Sequence, residues 1–280
     1  MKDNKKLNIV ILQYPVGDNI DENLNNLIKK IDGIKVTNKP TIVISHELSY
    51  LKYFPIIKNS KYKNLAISMS SKIVKTMVEL CMKKKIFFLF SFFEKNKDKF
   101  YNSAALISPK GIVIGKYRKK HIPNEECYQE KYYFNESKNK YVVIDIGICK
   151  IGLMICWDQW HSESYQQINK LGADIILCPT SIGYAYKNNK PITLLNEKEK
   201  WMGVIAANSL MINTPIVIAN RTGVESNNKN TIKFWGSSFV TNSDGNIILM
   251  NDISESTSST IIDLTMKKKS KKMWGFRLDI

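Results

Sequence analysis

Lys150-Ile151-Gly152-Leu153-Met154-Ile155-Cys156-Trp157-Asp158-Gln159-Trp160 is the stretch on which the reading of this chain turns. Its apolar run, Ile151 to Ile155, has the length and type of a buried strand. The run ends in a cysteine. Two tryptophans bracketing Asp158 and Gln159 follow, and His161-Ser162-Glu163-Ser164 then supplies polar residues suited to a helix start. A thiol between a buried strand and the mouth of a helix sits where backbone N–H groups point outward, so a thiolate is favoured and an oxyanion can be held. Taken alone, Cys156 would suit a place in the core equally well, since free cysteines are among the most buried residues.

On either side of this stretch, strand and helix patterns alternate. Leu7 to Leu12 reads as a strand; Asp18 then caps a helix with Leu24, Leu27, Ile28 and Ile31 at helical spacing and Gly33 as its stop. Thr41 to Ile44 is a second strand, running into Ser45-His46-Glu47-Leu48. Ser70 or Ser71 opens a helix with Ile73, Val74, Met77, Val78 and Cys81 on its inner face. Ile86 to Phe93 is a strongly apolar strand. Asn102 to Ser108 and Ile112 to Ile114 read as a hairpin around Pro109-Lys110-Gly111, which Gly115 to Pro123 leaves as a polar loop. Tyr141 to Ile146 pairs with the central run through Gly147. A helix from Ser162 to Leu171 stops at Gly172 and precedes a strand from Ala173 to Pro179. Residues 184–200 read as a loop rich in Asn, Lys and Pro, overlapping a helix from Asn196 to Ile212. Strands follow at Pro215 to Ala219, at Ser237 to Thr241 with Ile247 to Met250 around Ser243-Asp244-Gly245-Asn246, and at Thr260 to Asp263. With no break in composition, the pattern predicts one α/β domain over residues 1–280. The hairpins argue against a purely doubly wound sheet.

Three reactive side chains stand at the ends of apolar runs: Glu47, Lys119 and Cys156. In open α/β sheets the carboxyl ends of strands line the crevice where ligands bind, which gives all three a route to one another. A cysteine without a histidine partner needs another base, and a desolvated carboxylate can serve. A buried lysine lowers a thiol pKa and stabilises the oxygen of a tetrahedral intermediate. The alternatives are a capping or ion-paired Glu47 and a solvated Lys119.

Composition narrows the function classes. The net charge is +17, yet of 42 basic residues only Arg118, Arg221 and Arg277 are arginine. Base reading and bidentate phosphate recognition favour arginine, so a lysine-rich solvated surface is expected and no specific nucleic-acid partner. Small lysine clusters lie at 83–85 and 267–272. No run has the length of a membrane span, and Leu7 to Leu12 reads as a strand and not as a leader, so a cytoplasmic protein is expected. Five scattered cysteines and three histidines (His46, His121 and His161) indicate neither a disulfide framework nor a metal site.

Glu47, Tyr117-Arg118-Lys119-x-His121-Ile122-Pro123 and Ile155-Cys156-Trp157-Asp158-Gln159-Trp160 together resemble the nitrilase (carbon–nitrogen hydrolase) superfamily, and within it the N-carbamoylputrescine amidase branch. The likeness continues through Tyr128 to Phe134, Gly172 to Ile175, Pro179 to Gly183, Asn220-Arg221-x-Gly223, Ile232 to Phe239 and Trp274 to Arg277. It implies a four-layer α-β-β-α sandwich, a homodimer or larger homo-oligomer, and hydrolysis of a small carbamoyl amine or amide without a cofactor. By position it makes Glu47 the base, Lys119 the family lysine, Cys156 the nucleophile and Glu130 a second glutamate that positions substrate and lysine. The Trp157 backbone N–H would join Lys119 in holding the oxyanion. The bland reading of Glu130 is a surface residue beside Lys131. Glu125, Glu126 and the tryptophans are candidates for the far end of the substrate.

The chain departs from the family pattern at Ser45-His46, at Asn124 to Cys127, at His161-Ser162, at Asn208-Ser209 and in its shorter tail. His46 and His161 are read as pocket-wall residues. Other readings are an amidase, a carbamoyl amino-acid hydrolase, a nitrilase, or a basic scaffold that binds polyanions.

Overall fold

The computed structural model describes residues 6–137 and 140–266; the Trp274 to Arg277 segment and the 267–272 lysine cluster lie outside them. Two six-stranded sheets face each other. The first has the order β16-β1-β2-β3-β4-β5, from β1 (Lys6–Gln13), β2 (Thr41–Ser45), β3 (Phe87–Asn96), β4 (Lys99–Ile107), β5 (Val113–Arg118) and β16 (Ser256–Asp263). The second has the order β15-β14-β11-β8-β7-β6, from β6 (Val142–Asp145), β7 (Lys150–Leu153), β8 (Ile175–Thr180), β11 (Ile216–Asn220), β14 (Phe239–Thr241) and β15 (Ile247–Met250). Each sheet centres on three parallel strands joined through helices, β1-α1-β2-α2-β3 and β7-α3-β8-α4-β11. The helices are α1 (Ile20–Asp32), α2 (Lys72–Lys84), α3 (Ser162–Lys170) and α4 (Glu197–Ile212).

Side-chain alternation along the strands builds the layers. In β1, Leu7, Ile9 and Ile11 pack with Ile151, Leu153, Leu177 and Val217 of the second sheet. Val10 and Leu12, one residue out of phase, pack with Leu27 and Ile31 of α1 and Met77 and Cys81 of α2. Tyr165 and Ile168 of α3 and Trp201 and Ile205 of α4 close the other side. The result is the α-β-β-α sandwich expected.

Local differences have local causes. The cap of α1 is Asn19, whose side chain accepts from the N–H groups of Asp21 and Glu22, while Asp18 pairs instead with Lys52 at 2.6 Å. Ser71 caps α2 as expected. Strand β5 continues to Arg118, because Ser103 and Ala104 of β4 pair with Arg118 and Tyr117, so Lys119 leaves a strand and not a loop.

Residues 184–200 are not simply a loop. β9 (Gly183–Lys187) and β10 (Lys190–Pro191) join β12 (Val224–Asn227) and β13 (Asn230–Phe234) in a four-stranded sheet of order β10-β9-β13-β12. These strands are polar on one side and lack an apolar run, so their pairing rests on tertiary contact. Gly183 is required there: a Cβ would come within 2.3 Å of the Lys233 carbonyl oxygen.

Candidate active site

β2 and β5 deliver Glu47 and Lys119 just past their carboxyl ends, and Cys156 opens a 3₁₀ turn (Cys156–Trp160) three residues after the end of β7. Lys119 Nζ donates to Glu47 Oε1 at 2.8 Å and to both oxygens of Glu130 at 2.9 and 2.8 Å. All three side chains are fully buried, the setting that the aromatic run after Glu130 favours over a surface place. Asn102 in β4 serves both partners. Its carbonyl accepts the Lys119 backbone N–H at 2.8 Å, and its Nδ2 donates to Glu47 Oε1 at 2.7 Å. Tyr53 OH donates to Glu130 Oε1 at 2.6 Å.

Glu47 Oε1 therefore carries two donors, while Oε2 is buried with no hydrogen-bond partner among the described residues. A carboxylate oxygen left bare in a dry site is a strong proton acceptor. The charges of Glu47, Lys119 and Glu130 all act on the Cys156 thiol.

That electrostatic balance corrects one expectation. Burial first, then the Glu47 charge, push the Cys156 thiol well above its usual range, and Lys119 does not reverse them. Burial thus favours the thiol over the thiolate, and the lysine's charge, shared with two carboxylates, does not offset it. Burial opposes the Lys119 charge, but Glu130 and Glu47 outweigh it and hold the ammonium well above the ordinary lysine value. Burial, opposed by Lys119 and aided by Glu47, pushes Glu130 up to about 7.

The cysteine turn is tied to the lysine strand by Asp158. Its Oδ2 accepts from the Ile155 N–H at 3.0 Å and from Tyr117 OH at 2.8 Å; its Oδ1 accepts from the His121 N–H at 3.0 Å. Asp158 thus grips residues 117 and 121 on both sides of Lys119. Cys156 itself has φ +42°, in the left-handed region that non-glycine residues adopt only when their surroundings impose it.

Cys156 lines a cavity of about 400 Å³, a size suited to a small ligand. Trp157, Trp160, Trp235 and Tyr128 give it aromatic walls, and Glu125, Glu126 and Glu197 give it carboxylates. No lysine or arginine among the described residues lines it. Glu126 is engaged by Lys187 at 3.1 Å and Glu197 by Lys200 at 2.9 Å, whereas Glu125 forms no ion pair among the described residues.

The histidines are elsewhere. His46 is fully buried behind the site, 4.3 Å from the Tyr14 ring, and burial with the Arg221 charge holds it well below the usual histidine range. His161 stacks on His121 at 3.6 Å. Neither His46 nor His161 lines the cavity, so the pocket-wall reading of both is corrected. Among the described residues no group of three or more His, Cys, Asp or Glu side chains is arranged to hold a metal ion.

Sequence reasoning passed over Asn102, Tyr53 and the role of Asp158. Asp158 stood inside the quoted motif, where a carboxylate three residues after a strand end signals a turn cap. Asn102 and Tyr53 carry no such local signal.

Fold and site together mark an amide-type hydrolase of the mixed α/β class. The carbon-nitrogen hydrolase pattern matches residues 10–271, and the chain belongs to that family. It is 34% identical to a citrullinase of Francisella tularensis over 98% of this chain and 94% of that protein. It is 36% identical to an N-carbamoylputrescine amidase of Oryza sativa, over 68% of this chain and 63% of that protein. The crystal structure of a carbon-nitrogen hydrolase from Helicobacter pylori superposes with a TM-score of 0.90, at 26% identity, covering 98% of this chain and 95% of the other.

Proposed function

We propose that the protein hydrolyses the ureido group of a small amine, N-carbamoylputrescine above others, through Cys156, Glu47 and Lys119. The Oε2 of Glu47, buried without a hydrogen-bond partner among the described residues while the Glu47 charge acts on the Cys156 thiol, is the observation that carries the mechanism. Glu47 takes the thiol proton as Cys156 Sγ attacks the carbamoyl carbon. Lys119 and the Trp157 N–H, which stands where a helical turn leaves its first N–H groups without intrahelical partners, hold the oxyanion. The C–N bond to the terminal amino group breaks and Glu47 returns its proton to that group, which leaves as ammonia. Glu47 then takes a proton from water, the hydroxide displaces the thiolate, and Sγ recovers the proton. The released carbamic acid loses carbon dioxide and leaves the free amine. Glu130 keeps Lys119 in place throughout.

The far end of the substrate follows from the cavity wall. Aromatic faces and carboxylates without a cationic lining residue suit an organic ammonium. Citrulline has the same ureido chain and amine but adds a carboxylate, which this wall opposes. It stays as the second reading because the citrullinase relative aligns over 98% of this chain. A dimer and a cytoplasmic location belong to the same proposal.

Ammonia release should be measured from N-carbamoylputrescine, citrulline, N-carbamoyl-β-alanine, a simple amide and a nitrile. The highest kcat/KM is expected for N-carbamoylputrescine, with Cys156→Ala inactive and unchanged in melting temperature. Turnover retained by Cys156→Ala would end the mechanism. A preference for either carboxylate-bearing substrate would end the substrate assignment.

A further inference from the structure

Arg221 follows β11 and is fully buried, yet it takes no part in the chemistry above. Its Nη2 donates to the carbonyl oxygens of Glu47 at 2.9 Å and Leu48 at 3.3 Å. Its Nη1 donates to Glu225 Oε1 at 2.6 Å. The other oxygen of Glu225 accepts the Tyr53 backbone N–H at 2.6 Å, and the Tyr53 hydroxyl is the group that holds Glu130.

We infer that Arg221 and Glu225 are positioning residues that set Glu47 and Glu130 against Lys119 from behind. One arm of the guanidinium fixes the backbone directly after the Glu47 side chain, at the carbonyls of Glu47 and Leu48. The other arm, through Glu225 and Tyr53, fixes the acid on the far side of the lysine.

Three features favour this over simple core filling. A buried ion pair stabilises a fold little better than apolar residues of the same volume, so its retention needs another reason. Leu48, which follows Glu47, has φ +52°, a conformation its neighbours must impose, and Arg221 binds its carbonyl. Neither Arg221 nor Glu225 lines the substrate cavity, so neither acts by binding substrate. Displacement of a general base by a fraction of an ångström costs rate without costing affinity.

The inference rests on the proposed roles of Glu47 and Glu130, and its test keeps the two apart. Glu225→Gln keeps the shape and an oxygen for the Tyr53 N–H but leaves Arg221 without a counter-charge. Tyr53→Phe removes only the hydroxyl bond to Glu130 and serves if the first variant fails to fold. Each is compared with the parent for kcat and KM per titratable Cys156. The pH profile of Cys156 alkylation by iodoacetamide, read by peptide mass spectrometry, is followed alongside.

Expected for either folded variant are a kcat lower by about tenfold or more, a KM within about twofold, and an alkylation profile displaced by about half a pH unit or more. Normal kcat and a superimposable profile in the folded variants would overturn the inference. A parent that releases ammonia from no ureido or amide compound would instead overturn the proposed function, and the alkylation profiles would still report on the positioning.

Discussion

Glu125 is the carboxylate of the cavity wall without an ion pair among the described residues, and this makes it the strongest partner for a substrate ammonium. Glu125 is exposed, so a charge-assisted bond there contributes about 1 kcal/mol at most. Glu125→Gln is therefore expected to raise KM for N-carbamoylputrescine by up to about fivefold, with kcat little changed. Butylurea, which lacks the amine, should show no such change, and steady-state kinetics on both substrates checks it. Glu47 and Cys156 stood out because each follows an apolar run, and Lys119 because it belongs to a recognisable motif. Asn102, Tyr53 and Arg221 did not, since their roles arise from contacts across 55, 77 and 174 residues of chain. That burial and two carboxylates raise the Cys156 thiol was not legible for a related reason. The sequence presents one lysine for the thiol, and only the fold reveals two carboxylates already competing for it.

At the level of elements, β5 carries Lys119, and the buried Glu94 of β3 holds β5 in register. Arg118 Nε and Nη2 donate to Glu94 at 2.8 and 2.7 Å, and Lys116 and Ser103 also donate to it. Burial alone would raise this carboxyl, but Arg118, Lys116 and Ser103 outweigh it and bring it down to about 2. A folded-state value below the unfolded one means that the group adds stability above the unfolded value near pH 4. That stability disappears as the pH falls from about 5 towards 2. Glu94→Gln should accordingly be less stable than the parent at pH 7, with the gap closing at acid pH; urea melts across that range would show it. A gap independent of pH would contradict it. Most elements were legible from apolar periodicity, including the Ser71 cap and the Gly147 turn. The sheet of β9, β10, β12 and β13 was not, because strands such as Lys190–Pro191 and Val224–Asn227 have too few apolar residues to announce themselves.

Across the whole molecule, an acid-walled cavity sits within a chain of net charge +17. Most described lysines other than the buried Lys119 lie towards the surface, whereas Glu125, Glu126 and Glu197 line the cavity, so the global charge says little about the ligand. Apolar side chains remain exposed on α4 and β15, with Met211 at 52% and Met250 at 56%, beside Leu210, Ile247 and Ile248. Such a surface fits the homodimer that the family resemblance implies. Sedimentation velocity is expected to give a dimer or larger assembly at micromolar concentration, and Met211→Glu is expected to shift it towards monomer. A monomeric parent would contradict this. No described helix is long and apolar enough to cross a membrane. The four-layer architecture was legible from the resemblance; alternation alone led only to one α/β domain.

The central claim is that Cys156 becomes covalently acylated by a ureido substrate while Glu47 shuttles the proton. Glu47→Gln removes the shuttle and is expected to slow both formation and breakdown of the intermediate. Intact and peptide mass spectrometry of the parent enzyme, acid-quenched during turnover of N-carbamoylputrescine and with Glu47→Gln as the control, measures this directly. An adduct of the substrate less one ammonia, on the peptide bearing Cys156, is the predicted result. Substrate turnover with Cys156 unmodified, or an adduct on another cysteine, would contradict it.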